Sequence, residues 1–386
     1  MTPFKMKKLG LPLFVAMLMA SSCVRNASIP VIDSAKSYPE FEIKLQDIAD
    51  IRFLKLGGEE EGFTLSGATF GRRMFIDEKN KCIVVGEASS NVPKIGLFDL
   101  DGNFIRSIGQ AGNGPGEYHR SFYFCVMPEK KEIIVYDRHA SKFLVYDYEG
   151  NNLSEEPHRT DLSFYASVEA LGGKVFCYNN HGSYYNWREK KLEETGRTLT
   201  LFNPDTFEEE RIDELKYERP YNAEVIIPDF LTSTKEGVLL SAPQCDTVWQ
   251  FGRDRVLTPK FIWKSHNDQQ TVICPNIETD DYIFCSTETN NPDYAGEIRY
   301  YALRKSDNAV FEIPEREKGA YGIKDFLKGG LRFTSLTRTQ NYNYCCKCVG
   351  YSVLPELYDL LPDDAKRLAD SMTEESNQML MLVKFR

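Results

Sequence analysis

From residue 24 onward the sequence holds no apolar run of 18 residues, so nothing there can cross a bilayer as a single helix. Basic charge is in short supply. The 47 Lys and Arg against 57 Asp and Glu leave a formal charge of −10, which argues against a phosphate-neutralising nucleic-acid face. No Gly-x-Ser-x-Gly elbow is present, nor a His-Glu-x-x-His pair, and the five histidines do not announce a metal triad. Long helical periodicity is nearly absent, which excludes a helix bundle as the main architecture.

The amino end is a leader. Lys5, Lys7 and Lys8 precede an apolar run from Leu9 to Ala20, and small residues follow. The run is short of the ~20 residues of a span, and its basic, apolar, small order is that of an export signal. The next residues, Ser21-Ser22-Cys23, resemble a bacterial lipobox, with Ala20 where leucine is commonest. That resemblance implies a lipoprotein signal peptide over 1–22 and a lipid carried on Cys23. An ordinary signal cut nearby would instead leave a free exported protein. Residues 1–22 hold three lysines and no acid, so the remaining 44 basic and 57 acidic residues give −13. Residues 24–37, VRNASIPVIDSAKS, are small and polar, and 23–38 is expected to be a flexible tether. The absence of acids in VRNAS points to the outer membrane, facing the periplasm. The membrane is then a partner only through the anchor.

Ten cysteines raise the question of disulfides, but nine remain once Cys23 is set aside, too few for a disulfide framework in a chain this long. Cys82, Cys125, Cys177 and Cys285 sit inside apolar runs such as KCIVV and FYFCV, where a thiol packs as a small hydrophobe. Cys346 and Cys348 of YCCKC would share one strand face, yet no second Cys/His pair stands at zinc spacing. No metal and no cofactor is expected.

Short apolar runs alternate with polar residues and turn signals, and aromatics are abundant (24 Phe, 21 Tyr), so the chain reads as all-β. KCIVVGEASSNVPKIGLFDLDGNFIRSIG (81–109) aligns with KEIIVYDRHASKFLVYDYEGNNLSEE (131–156). Each has a strand, a polar connection, a second strand ending aromatic-Asp, a turn closing on Gly102 or Gly150, and a further strand. Weaker echoes follow, and the central strands of the six units begin near residues 82, 132, 174, 237, 282 and 344. That spacing is close to the ~40–50 residues of a four-stranded propeller blade. One such blade cannot bury both faces alone; packed radially, each covers its neighbour.

The prediction is therefore a six-bladed β-propeller of four-stranded antiparallel blades over 39–386. The segments 41–56 and 377–386 would pair to close the ring. One short helix is expected over 362–376, where Pro362 precedes an acidic turn and Ala365, Leu368, Ala369 and Met372 form a stripe.

With GNGPGEY (112–118), FDLDGNFIRSIG (98–109), CDTVWQF (245–251) and ESNQMLMLVKFR (375–386) in this order, the chain resembles the six-bladed propeller lipoproteins of bacteria. Within it, 109–150 looks like an NHL-type repeat, and the whole is similar to TolB-like propellers. Gly86 stands where the second unit has Asp137, and the third unit carries an insertion through 183–200. The resemblance implies an exported, anchored propeller and supplies no agreed activity.

The run GQAGNGPGEYHR (109–120) is not a phosphate loop. A P-loop needs Gly-Lys-Ser/Thr leading into a helix, whereas Glu117 follows Gly116 and a strand comes next. It reads as the corner between the first and second blades, with Gly112, Gly114 and Gly116 permitting unusual φ and Pro115 stiffening one turn. If the channel opens on that face, Glu117, Tyr118, His119 and Arg120 would form a recognition patch. Alternatively, Glu117 bonds loop amides and Tyr118 packs between blades. Asn180, His181 and Tyr184 in NNHGSYYNW, and the loop TETNNPDYAG (287–296), would suit a sugar ring or an extended peptide. Acids near strand ends are Asp77, Glu87, Asp137, Glu169 and Asp246, a set too unspecific to assign catalysis, and no catalytic residue is named. The functional expectation is a lipid-anchored cell-envelope module that binds or scaffolds a glycan, peptide or partner protein at the channel mouth. The alternative is a propeller hydrolase or lyase acting on a polysaccharide or small ester.

Overall fold

Consecutive residues of the strand Cys82–Glu87 feed opposite layers, which explains why its apolar run is unbroken. Cys82 and Val84 pack on one side with Phe122, Phe124, Ile133 and Val135 of the next unit. Ile83 and Val85 pack on the other with Tyr344, Cys346 and Leu382 from the far end of the chain. A sheet covered on both faces has no polar side, and alternation appears only as a choice of neighbour.

The computed structural model describes residues 29–65, 74–87, 92–119, 122–154, 158–159, 165–179, 183–186, 191–194, 199–213, 215, 230–242, 245–266, 271–289, 298–313, 315–317, 320–321 and 337–386. Six antiparallel sheets repeat the arrangement of strands from inside to outside. Blade 1 comprises Met74–Asp77, Cys82–Glu87, Lys94–Asp99 and Phe104–Ser107. Blade 2 comprises Phe122–Met127, Glu132–Asp137, Lys142–Asp147 and His158–Arg159. Blade 3 has Ser167–Leu171, Lys174–Tyr178, Leu199–Asn203 and Glu208–Asp213. Its predicted insertion is a hairpin of Ser183–Asn186 with Lys191–Glu194. Blade 4 has Leu231–Ser233, Gly237–Leu240, Thr247–Gly252 and Leu257–Lys264. Blade 5 has Thr271–Glu278, Tyr282–Thr289, Tyr300–Arg304 and Val310–Ile313. Blade 6 has Thr337–Arg338, Tyr344–Val349, Met379–Phe385 and, outermost, Ala49–Lys55. The six starting points read from the sequence are the second strands of the six blades.

The core is a set of apolar layers, one at each blade interface. Its cysteines are part of them: Cys125 and Cys177 between blades 2 and 3, Cys285 between 4 and 5, Cys345 between 5 and 6. All nine described cysteines are free thiols, and burial pushes that of Cys82 up to about 12.

The ring closes as the two ends predict. Ala49–Lys55 pairs antiparallel with Met379–Phe385 over seven residues, from Ala49 opposite Phe385 to Lys55 opposite Met379. Asn377, fully buried, ties the chain beyond that strand to the same junction. Its Oδ1 accepts from the Leu65 amide at 2.7 Å, and its Nδ2 donates to Gly57 O at 2.8 Å and Phe63 O at 2.7 Å. On the turn face, Glu78 of blade 1 accepts from Tyr344 and Lys384 of blade 6.

The tether expected over 23–38 is corrected for its second half. Val31–Asp33 adds to blade 4 as a fifth, parallel strand opposite Ile262–Lys264, with Ile32 fully buried. His266 and Lys264 flank the Asp33 carboxylate, and the Ala35 amide together with them holds its pKa below the usual value. Arg299 of blade 5 donates to Ser34 O at 2.8 Å. Farther on, Phe41 N and Glu312 O, then Glu312 N and Pro39 O, join the arm to the edge of blade 5. The arm thus runs along the outside of blades 4 and 5 before becoming the closing strand of blade 6. An uncovered sheet edge of free N–H and C=O groups accounts for its docking.

The helix forms over Asp363–Asp370, shorter than the stripe suggested, with Pro362 at its N-cap and Asp363 and Asp364 in its first turn. Ala365, Ala369 and Met372 pack with Phe41, Leu45 and Leu361 at the junction of blades 5 and 6. Among the described residues no helix is long and apolar enough to cross a membrane.

Candidate functional site

The glycine run is a corner, and its glycines make room more than they supply unusual dihedrals. Among the described residues of the run only Gly109 has positive φ (60°). A Cβ on Gly112 would stand 1.9 Å from Glu117 Oε2. That carboxylate folds back inside the loop, accepting from the Gly114 amide at 2.7 Å and from Gln110 Nε2. The Gly114 amide, then Gln110, hold its pKa below the ordinary glutamate value. Blade 2 pins the corner from beneath. Buried Lys142 donates to Glu117 O at 2.6 Å, and Tyr146 Oη to Gly116 O at 2.8 Å.

Tyr118 is 1 % exposed, in the layer between blades 1 and 2. Its hydroxyl donates to Ile108 O at 3.0 Å and accepts from the Ile95 amide at 3.1 Å, and burial raises its pKa. The recognition patch is corrected here: a ring enclosed between blades cannot stack on a ligand, and Glu117 is committed to its own loop.

His119 remains partly exposed but is held on both ring nitrogens. Asp137, fully buried, receives the backbone amides of His119, His139 and Ala140 at 3.0 Å each, and its Oδ2 lies 2.7 Å from His119 Nδ1. Nε2 lies 2.8 Å from Asn113 Oδ1, and the His139 ring is 4.9 Å away, centroid to centroid. Asp137 thereby orients the imidazole. Arg120, Asn180 and His181 lie outside the described residues, as does 290–296 of the second loop. Tyr184 is placed by its backbone, opposite Glu193 in the inserted hairpin of blade 3.

Enterable space lined by described residues lies at the other end of the ring. A cavity of about 380 Å³ opens among the turns that follow the inner strands, walled by residues of blades 1, 2, 3, 4 and 6. The corner precedes the inner strand Phe122–Met127, and Pro128, Glu129 and Lys130 of the cavity follow it. A strand of that length separates the two by about 20 Å. Phe75, Val126, Met127, Ala170 and Leu171 give the lining an apolar part, and Ser233, Thr234, Gln340 and Asn341 a polar one. Deeper, a water-sized niche adjoins it, sharing Ser233, Gln340, Asn341 and Tyr342 and adding Glu169, Thr232, Asn276 and Thr339.

Of the five acids near strand ends, the described geometry brings Glu169 to the niche. Its Oε2 accepts from Ser233 Oγ at 2.9 Å. Asp77 is structural, accepting from the Asn80 amide at 2.9 Å and from Tyr148 of blade 2. The remaining lining residues escape sequence reasoning because they come from turns of different blades. The available signal is positional, in the residues just past each inner strand, as in LGGK (171–174).

Three comparisons bear on this chain. The sequence profile of the family described as Domain of unknown function (DUF4934) matches residues 28–384. A crystal structure from Bacteroides fragilis, of a protein described as exported, superposes with a TM-score of 0.62 at 16 % identity, covering 92 % of this chain and 99 % of that one. A member of the DUF4221 family from Bacteroides vulgatus gives a TM-score of 0.48 at 11 % identity, covering 88 % and 99 %. None of the curated proteins matches this sequence. At these identities the structural likeness speaks for the fold alone.

Proposed function

We propose that this chain, which belongs to the DUF4934 family, is an exported, lipid-anchored propeller that binds a ligand in its central cavity. The observation that carries the reading is the cavity of about 380 Å³ on the turn face, within the size range of small-ligand sites. Its walls come from the ends of inner strands and the turns after them, and they combine apolar with polar side chains, the usual composition of a site that orients what it holds. The ligand is a small molecule or the end of a glycan or peptide, and the corner at 109–119 frames the ring without contacting it. Export and anchoring are supported by the leader, by the lipobox-like Ser21-Ser22-Cys23, and by the likeness to a protein described as exported. The anchor would place the body at the outer membrane, facing the periplasm.

The test has two parts. The soluble body is screened against sugars, short peptides and carboxylates by thermal shift, with Ala170→Trp as the cavity-filling variant. A stabilising ligand class whose effect is lost in Ala170→Trp supports the cavity; stabilisation that survives the tryptophan places binding elsewhere. Separately, Cys23→Ala should release the protein from membrane fractions and remove metabolic lipid label. Persistence of the label would sink the anchoring assignment.

A further inference from the structure

We infer that the ligand of the central cavity is a compact hydroxy-carboxylate, an acidic sugar of the uronic type being the best match. The inference rests on the cavity being the binding site and adds the chemistry of what enters it.

Two unmet polar groups define that chemistry. Gln340 lines both the cavity and the niche behind it, and its Nε2 donates to Phe124 O, which fixes the amide orientation. Its Oε1 is then a buried acceptor with no donor among the described residues. Leaving such an atom unsatisfied is costly; Oε1 is closed to solvent, and a small shift of the Gln340 side chain on binding would let a ligand hydroxyl supply the missing proton. At the mouth stands Arg253, in the turn between the third and fourth strands of blade 4. Neighbouring charges are already matched: Glu129 with Lys79, Lys130 with Asp205, and Lys235 with Asp280. The Arg253 guanidinium has no ion pair among the described residues and is exposed beside the opening.

A guanidinium presents a planar fork that matches a carboxylate in bidentate fashion. A single such fork in a chain of net charge −10 suits a monoanion better than a phosphate dianion, which would call for further cations. The wall of Phe75, Val126, Met127 and Leu171 then requires an apolar face on the same ligand. A hydroxyl, a carboxylate and an apolar ring face occur together in a uronic acid. Glucose and galactose lack only the carboxylate.

Isothermal titration of the soluble body with D-glucuronate and D-galacturonate, against D-glucose and D-galactose, tests the assignment. At least one acid should bind ten-fold or more tightly than its neutral counterpart, a difference of about 1.4 kcal/mol. Arg253→Gln, an exposed change that leaves the fold intact, should erase that preference while sparing neutral-sugar binding. Gln340→Leu should weaken acid and neutral sugar alike. Equal binding of both, unmoved by Arg253→Gln, overturns the carboxylate assignment and leaves the cavity reading standing. Binding of another ligand class, with neither sugar bound and with sensitivity to Ala170→Trp, overturns the sugar assignment alone. Binding of the acids that Ala170→Trp does not touch overturns both.

Discussion

Replacing Asn377 by alanine should loosen the ring at its seam. The side chain supplies one acceptor and two donor contacts, all between 2.7 and 2.8 Å, and joins the end of blade 6 to the connection that enters blade 1. Alanine removes the three bonds and leaves the Leu65 amide and the Gly57 and Phe63 carbonyls to find other partners. A net hydrogen bond is worth about 0.5–1.5 kcal/mol, and an orphaned buried group costs about 1–3 kcal/mol. With partial rescue by water at half-buried Leu65 and Gly57, the loss comes to about 3–5 kcal/mol. An unfolding entropy of about 2.1 cal/mol/K per residue over roughly 350 residues gives close to ~0.7 kcal/mol per degree. The melting temperature of the soluble body should therefore fall by about 4–7 °C, read by near-UV circular dichroism. Asn377→Asp keeps the acceptor but turns an anionic oxygen toward two carbonyls, so its deficit should be largest at neutral pH and shrink once the carboxyl is protonated. A melting point within about 1 °C of the parent for Asn377→Ala would refute the argument that this side chain helps to hold the junction.

Two further outcomes are expected. Gly102 has φ of 91°, and a Cβ there would meet Lys55 O of the closing strand at 2.2 Å. Gly150, its counterpart in blade 2 (φ 84°), would meet Ser107 O at 3.1 Å. Both alanine variants suffer the left-handed penalty of about 1–2 kcal/mol, but Gly102→Ala should lose at least ~1 kcal/mol more, as measured by urea melts. Equal losses would show that the turn, not the seam, sets the cost. Lys384, then Tyr344, hold the Glu78 carboxyl below its ordinary value. A lowered native pKa means the contribution is complete above about pH 4.5, the unfolded value, and vanishes as pH falls through the native one. Glu78 is half exposed, so the effect is small. Glu78→Gln should flatten the acid limb of a stability–pH curve and change little below pH 3; an unchanged acid limb counts against the pairing.

How much of this was readable beforehand depended on whether the signal was local. The turns FDLDGN and YDYEGN repeat atom for atom. In each, the Asp (Asp99 or Asp147) accepts from the amide and side chain of the Asn four residues on (Asn103 or Asn151). Such turns are written in consecutive residues, and so were the six blade positions and the closing strands. The arm at 31–40 was not. Three residues cannot display a period, and what orders Ile32 is a sheet edge more than 220 positions away. Tyr118 followed an exposed-looking loop motif, yet the blade packing that encloses its ring comes from residues spread over both neighbours. The cavity was hidden for a like reason. Its walls draw short groups of residues from strand ends and turns of five blades, and no motif can span such gaps.

The path of the N-terminal arm also dictates when the molecule can be finished. Residues 31–55 are made early, but their partners are Ile262–Lys264, Glu312 and Met379–Phe385. Through the first two thirds of synthesis this segment has none of these partners, and its closing strand waits for the last residues, while the first blades already can form from neighbouring strands. Folding must therefore end where the chain begins, with the last strand delivered before the first is seated. Such distant pairings are slow and leave apolar edges open in the meantime.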